Sequence, residues 1–270
     1  LLVYGQRVAE ALGRILDAEV LLAMRYGNPS IEAGMDTLRE RGCDRVVILP
    51  VYPQYASSST GTALEKVYAL AGERWNTPHI CAVPPFYDEP AFLDAFARVG
   101  QPVMASLEPD HVVFSFHGLP ERHILKSQDG AGHCLAKADC CDTIGLKNRN
   151  CYRAQCFATA HGIAERLGLQ REGVEGDYSI TFQSRLGRTP WIKPYTDEVL
   201  PELARAGVKK VAVFCPAFTA DCLETLEEIG MRALEDFVGA GGEALQLVPS
   251  LNDDPAWIEA AAALVRRAMS

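Results

Sequence analysis

The chain has 270 residues, of which 48% are hydrophobic and 23% are charged, and its formal net charge is −9. This composition is typical of a globular protein with one large or two smaller domains, and it excludes a disordered chain. The negative charge argues against binding to nucleic-acid phosphates. No apolar stretch is long enough to span a membrane, and the first residues lack a secretory signal pattern. We therefore expect a cytoplasmic protein.

Strand-like and helix-like segments alternate along the chain. Short apolar runs predict strands over 18–24, 45–51, 79–83, 111–116, 178–182, 208–214 and 244–248. Amphipathic periodicity predicts helices over 30–41, 62–73, 89–106, 155–167, 196–206, 223–238 and 255–269. The strands are apolar throughout, which indicates parallel sheets covered by helices on both faces. We predict an α/β fold in two halves, 1–110 and 111–270.

In such folds, ligands bind beyond the carboxyl ends of the strands. His117 lies at one of these ends and precedes Gly118 and Pro120, a position that suits metal binding or proton transfer. A His that only hydrogen-bonds its own loop is an equally good interpretation.

A run of acidic residues opens the predicted helix over 223–238. Asp221 and Glu224 have the spacing of a capping box, which is the stronger interpretation from spacing alone. Glu224 and Glu228, however, are four residues apart and share one helix face. Such a pair of carboxylates is also a plausible route for protons or a divalent ion.

The loop after the predicted strand over 178–182 carries Arg185, Arg188 and Trp191. Guanidinium groups bind carboxylates and an indole stacks on flat rings, so this loop could hold a flat, anionic ligand. The alternative is a solvated loop with its Trp anchored in the core.

Cysteine is concentrated in one segment. Five of the nine cysteines fall between residues 134 and 156, namely Cys134, Cys140, Cys141, Cys151 and Cys156. In a reducing compartment, such clustering indicates a zinc ion or an iron–sulfur cluster held by four thiolates. One of the five is then spare, and we expect it to be one of the adjacent pair. The other four cysteines are interpreted as small core residues.

Taken together, these residues resemble the ferrochelatase family. The matching stretches are 26–29, 49–55, 115–120, 182–191, 194–198 and 216–228, and they cover nearly the whole chain in family order. The resemblance implies two Rossmann-like, chelatase-type domains with a ligand cleft between them. It implies a lyase that inserts Fe²⁺ into a porphyrin and releases two protons. We expect protoporphyrin IX as the substrate, and the sequence leaves coproporphyrin open.

The resemblance also implies site residues. The metal-handling pair falls on His117 and Glu224, the acidic ladder continues at Glu228, and Phe218 and Trp191 fall on positions lining the cleft. Arg185 and Arg188 are candidate partners for the porphyrin propionates. We expect a further N-terminal region to precede this chain, carrying other cleft residues and a peripheral membrane contact.

The cysteine-rich segment, 130–156, resembles an insertion found in the bacterial ferrochelatases that carry a [2Fe-2S] cluster on internal cysteines. That resemblance implies that four of the five clustered cysteines bind such a cluster. Two other functions stay open from the sequence. One is a chelatase for another metal and tetrapyrrole, such as cobalt, and the other is a non-catalytic sensor that binds a tetrapyrrole or a cluster.

Overall fold

The computed structural model describes residues 1–130 and 132–269, so Ala131, within the predicted insertion, lies outside the described residues. The chain forms two compact units. One consists of Leu1–Pro85 and the C-terminal segment from Asn252, and the other of Phe86–Leu251. These boundaries differ from a division at residue 110. The helix before that residue packs within the second unit, and the last helix of the chain returns to the first.

The first unit is built on a short parallel sheet. Its elements are α1 (Leu2–Leu16), α2 (Ile31–Glu40), β1 (Arg45–Ile48), a π-helix (Ser57–Gly61), α3 (Thr62–Gly72), β2 (His79–Ala82) and α10 (Pro255–Met269). Strand β1 pairs with β2 with Arg45 opposite His79. Buried apolar residues of α2, β1 and α3 form the core here, including Met35, Val46 and Val67. Helix α10 packs on α1 and on both strands.

The second unit contains a four-stranded parallel sheet in the order β4-β3-β5-β6. Its elements are α4 (Pro90–Leu107), β3 (His111–His117), α5 (Glu121–Ser127), α6 (Tyr152–Arg166), β4 (Tyr178–Gln183), α7 (Thr196–Arg205), β5 (Lys210–Phe214), α8 (Leu223–Leu226), a π-helix (Glu228–Ala233), α9 (Leu234–Gly239) and β6 (Ala244–Leu247). The central strands β3 and β5 are almost fully buried, as continuous apolar runs predict. Parallel pairing brings the carboxyl ends of these strands to one edge, with His117 of β3 opposite Gln183 of β4.

Most predicted elements are confirmed, but two are wrong in type or extent. The predicted strand over 18–24 has no ladder partner, and its backbone makes one isolated bridge, from Met24 to Ser30. Its Leu22 lies against Gly5 of α1, so its apolar residues cover a helix. The predicted helix over 223–238 is divided into α8, a π-helix and α9. π-helical turns are rare and are frequent at functional sites.

Among the described residues, no helix has both the length and the apolar character needed to cross a membrane.

Candidate active site at the carboxyl edge of the larger sheet

His117 is the last residue of β3, and its half-buried ring is oriented by its own loop. The Nδ1 atom lies 2.6 Å from the carbonyl oxygen of Gly118. A carbonyl can only accept a hydrogen bond, so Nδ1 carries a proton, and in the neutral form of the ring the lone pair is on Nε2. The interpretation of a loop-bonded His and that of a reactive His are therefore both compatible with this geometry.

The peptide group between His117 and Gly118 is held from both sides. The hydroxyl of Tyr152 donates to the His117 carbonyl oxygen at 2.8 Å. The N–H of Gly118 donates to the carbonyl oxygen of Gln183 at 2.8 Å. A Cβ atom on Gly118 would lie 2.9 Å from the same Gln183 oxygen and 3.2 Å from Cε3 of Trp191. Only glycine therefore fits this close approach of backbone to backbone and ring.

Two aromatic side chains flank the imidazole. The ring centroids of Trp191 and Phe218 lie 6.4 Å and 6.3 Å from that of His117. Both side chains are half-buried. The turn of His117 is also tied to the Trp191 segment by an isolated bridge between Pro120 and Trp191. The structure thus brings together three of the residues predicted for the site, an imidazole and two flat apolar surfaces.

The carboxylate of Glu224 is not used for helix capping, contrary to the expectation from spacing. The capping box at the start of α8 is formed by Cys222 and Thr225. Asp221 instead accepts hydrogen bonds from the Ser250 N–H and the Thr225 hydroxyl. The Cys222 thiol is hydrogen-bonded to Glu224, and burial together with this bond raises the pKa of the thiol to about 12. Glu224 therefore has no helix-capping role that would compete with a role in binding metal or protons.

Glu228 begins the second π-helix, and its carboxylate is held by the loop after β4. Its Oε1 accepts from the Ser184 N–H at 2.7 Å, and its Oε2 accepts from the Ser184 hydroxyl at 2.5 Å and from Gln183 Nε2 at 3.2 Å. Gln183 Nε2 also donates to the Glu224 carbonyl oxygen at 2.7 Å. Ser184 has a positive φ of 62°, a strained conformation that is characteristic of functional sites.

The two candidate arginines differ in their environment. Arg185 is ion-paired to Asp197 at 2.6 Å and to Glu198 at 3.1 Å, which raises the pKa of its guanidinium. Both arginines line an open cavity of about 530 Å³ whose wall also includes Trp191 and Lys193. Of the two, only Arg188 makes no ion pair to a described residue. It is the better candidate for an anionic ligand.

The five clustered cysteines converge in the folded chain, and all of them are buried. Sγ of Cys140 and Sγ of Cys141 lie 3.8 Å apart, and the thiols of Cys134 and Cys151 are hydrogen-bonded to each other. A further hydrogen bond between Cys141 and Cys151 joins the two pairs and is the largest cause of the raised pKa of Cys141. Cys156 lies in α6 and is fully buried, and its side chain is hydrogen-bonded to that of Tyr152.

Several residues of this site were not predicted from the sequence as contacts of the candidate groups. Gln183, Tyr152 and Arg153 each contact a candidate residue or its backbone. The available signal for Gln183 is a polar residue directly after the predicted strand over 178–182. For Tyr152 and Arg153 the signal is their position directly after Cys151. That position indicates a contact with the site only in the folded chain, where the cysteines lie near His117.

The fold of the chain is that of the chelatases. SirB from Bacillus subtilis, described with Fe³⁺, superposes with a TM-score of 0.63 at 15% identity, covering 98% of this chain and 88% of SirB. CbiX, described as the terminal enzyme for biosynthesis of sirohaem in denitrifying bacteria, gives a TM-score of 0.53 at 14% identity, covering 99% of this chain and 90% of CbiX. At these identities the likeness defines the architecture of parallel sheets flanked by helices.

The chain belongs to the ferrochelatase family, whose family model matches residues 1–269. The ferrochelatase of Ectopseudomonas mendocina is 49% identical over 270 residues, covering 99% of this chain and 78% of that protein. The ferrochelatase of Pseudomonas fluorescens Pf0-1 is 49% identical over 250 residues, covering 92% of this chain and 72% of that protein. The ferrochelatase of Coxiella burnetii Dugway is 44% identical over 271 residues, covering 100% of this chain and 74% of that protein. The family expected from the sequence motifs is confirmed.

Proposed function

We propose that this protein is a ferrochelatase that inserts Fe²⁺ into protoporphyrin IX, releasing two protons and forming haem, from a cytoplasmic location. Family membership over nearly the whole chain supports the reaction. The observation that carries the site is the half-buried imidazole of His117, held at Nδ1 by the Gly118 carbonyl, with the ring centroids of Trp191 and Phe218 6.4 and 6.3 Å away.

The proposed role of His117 follows from the chemistry of metal insertion. Two pyrrole protons must leave the porphyrin, and its nitrogens must replace the water bound to the metal. Because Nδ1 is committed to the Gly118 carbonyl, Nε2 can accept a pyrrole proton or bind Fe²⁺ transiently. Trp191 and Phe218 provide surfaces against which the macrocycle can be held. Binding energy there can support a bent ring whose lone pairs and protons are more accessible.

We propose that the two glutamates handle Fe²⁺ and protons. Carboxylate oxygens and imidazole nitrogens are suitable ligands for divalent iron. Glu224 is hydrogen-bonded to the Cys222 thiol and not to the helix terminus, and it is the group that binds and releases iron or protons. Glu228, with donors from Gln183 and Ser184, is the fixed negative charge behind it. Arg188 is the proposed partner of a porphyrin propionate.

The decisive experiment is haem formation by His117→Ala, supplied anaerobically with Fe²⁺ and porphyrin. We expect the rate to fall by roughly 10²–10⁴-fold, the usual contribution of a general base. His161→Ala is a matched control, because His161 is a half-exposed residue of α6 that pairs with Glu172. Undiminished haem formation by His117→Ala refutes its role. A second assay with Co²⁺ and sirohydrochlorin tests whether the protein acts on another metal and tetrapyrrole. A third, with coproporphyrin in place of protoporphyrin, tests which porphyrin is the substrate.

We also propose that four of the clustered cysteines bind a [2Fe-2S] cluster. Among the described residues, no group of three or more His, Cys, Asp or Glu side chains is placed to hold a metal ion. A two-iron cluster needs two thiolates per iron. Four of the thiols form a continuous chain of contacts from Cys134 through Cys151 and Cys141 to Cys140, whose outer pairs are Cys134 with Cys151 and Cys140 with Cys141. The 3.8 Å between the adjacent thiols matches two ligands of one tetrahedral metal with bonds of about 2.3 Å.

These pairs favour Cys156 as the spare cysteine, whereas spacing alone favoured Cys140 or Cys141. A bound cluster supplies one-electron chemistry, while insertion of Fe²⁺ involves no change in oxidation state. Anaerobic analysis should find about two iron and two sulfide per chain with visible absorption. Cys156→Ser should retain that absorption and Cys151→Ser should lose it. Stoichiometric zinc without sulfide contradicts the assignment.

A further inference from the structure

Two consecutive residues at the start of α6 connect the clustered cysteines to the candidate active site. The ring of Tyr152 is buried, and its hydroxyl donates to the carbonyl oxygen of His117 at 2.8 Å. Its side chain is also hydrogen-bonded to that of Cys156. One phenol group therefore contacts both the cysteine-rich segment and the backbone of the residue proposed as the base.

Arg153 makes the second connection. Its Nη1 donates to Sγ of Cys141 at 3.0 Å, while Nε and Nη2 donate to the carbonyl oxygen of Lys193 at 3.4 and 3.3 Å. Lys193 lies two residues after Trp191, in the segment that flanks the imidazole. The guanidinium also lies over the ring of Phe157, with 4.4 Å from its carbon to the ring centroid, so packing fixes its position.

The contact at His117 is more than the satisfaction of a buried carbonyl. The peptide group that accepts from Tyr152 donates its N–H to Gln183, so these two bonds set the orientation of the whole peptide plane. The next carbonyl, that of Gly118, orients the imidazole through Nδ1. Rotation of this peptide plane would therefore turn the ring and move Nε2.

We propose that Tyr152 is a positioning residue for His117, and that Arg153 is a positioning residue for the Trp191–Lys193 segment. Through them the cysteine-rich segment supports the geometry of the active site. This inference rests on the proposed function of His117. It assigns to the segment a mechanical role that requires no electron transfer.

Tyr152→Phe tests the proposal because it removes the hydroxyl and keeps the ring. We expect kcat for haem formation to fall about tenfold, with the KM for porphyrin changed by less than about twofold, since the surfaces that bind porphyrin stay in place. Tyr178→Phe is the control: it removes a hydroxyl from another buried tyrosine, at the opposite end of β4 from Gln183.

A second measurement reports on position without any activity. In protein labelled with ¹⁵N-histidine, the ring signals of His117, assigned by their loss in His117→Ala, should shift in Tyr152→Phe and not in Tyr178→Phe. Equal kcat in the two tyrosine variants overturns the proposal, whatever the spectrum shows. An active His117→Ala protein would instead overturn the proposed function, while the shift in Tyr152→Phe would still report the positioning contact.

Arg153→Lys provides a test if Tyr152→Phe fails to fold. Lysine retains the positive charge but cannot reach a thiol and a carbonyl with one planar fork. We expect the KM for porphyrin to rise at least threefold, because the Trp191 segment loses its support, with iron and sulfide content equal to that of the parent protein. An unchanged KM in this variant overturns the role of Arg153.

Discussion

Replacing Gly118 by alanine tests how closely the turn of His117 must approach the adjacent strand. The added Cβ would lie 2.9 Å from the Gln183 carbonyl oxygen, where about 3.3–3.6 Å is normal for carbon and oxygen. It would lie 3.2 Å from Cε3 of Trp191, against about 3.5–4.0 Å for two carbons. The carbonyl cannot withdraw freely, because it accepts the Gly118 N–H at 2.8 Å. The turn must therefore move by several tenths of an ångström.

Overpacking of this size costs about 1–3 kcal/mol. For a chain of this length a loss of about 2 kcal/mol lowers the Tm by roughly 4–8 °C. Because the displaced turn carries His117, we also expect kcat to fall by about 10- to 100-fold. Calorimetry and the anaerobic haem assay measure the two effects.

Gly239→Ala is the control for Gly118→Ala. Gly239 ends α9, and a Cβ there meets no atom within 4 Å. Alanine is favoured over glycine in helices, so this variant should match or slightly exceed the parent in stability. A Gly118→Ala protein with the parent Tm and kcat would show that the turn tolerates a side chain and that the close approach has no role.

Four other substitutions test separate parts of the molecule. The carboxylate of Asp110 accepts the N–H groups of Lys209 and Lys210, which lowers its pKa in the folded state. Its stabilising effect is therefore present above the unfolded pKa of about 3.9 and is lost as the pH falls through the folded pKa. Asp110→Asn should lower denaturant stability more at pH 7 than at pH 3, and an equal loss at both would contradict this assignment. Ser184→Ala removes the hydroxyl donor to Glu228 and should cost about 1.5–3 kcal/mol, as for hydrogen bonds to charged groups; urea titration with an unchanged midpoint argues against the bond. Arg188→Ala should raise the KM for porphyrin by at least about fivefold. Arg185→Ala loses exposed ion pairs and a cation–π contact with the Tyr195 ring at 4.1 Å, so it should lower stability by less than about 2 kcal/mol and raise the KM less than Arg188→Ala does. The reverse order of KM effects would reassign the propionate partner.

The sheets and most helices were predictable because their physical signals are local. Continuous apolar runs identified all six strands of the structure, and helical periodicity gave the helices that cover them. The run over 18–24 gave the same signal but covers α1, because periodicity does not reveal whether an apolar segment has a partner strand. The break near Glu228 was equally invisible, since a π-helical turn depends on tertiary contacts such as those from Ser184.

The candidate site was predictable in its residue types and less so in its contacts. The position of His117 at the end of a strand follows from sequence alone. The residue that caps α8 could not be predicted in the same way. Asp221 accepts a hydrogen bond from the N–H of Ser250, which lies 29 residues away in the sequence. The ion pairs of Arg185 likewise depend on the fold, which brings α7 beside the loop after β4.

The bond between His117 Nδ1 and the Gly118 carbonyl limits how many protons one imidazole can carry. Metal insertion releases two protons, but only Nε2 is available to accept one, because Nδ1 already holds its own proton for the carbonyl. In the role proposed for His117, the imidazole passes on the first proton before it takes the second, or another group takes one of them. The first route predicts a proton-relay step whose rate depends on buffer and solvent isotope, separate from the binding of iron or porphyrin.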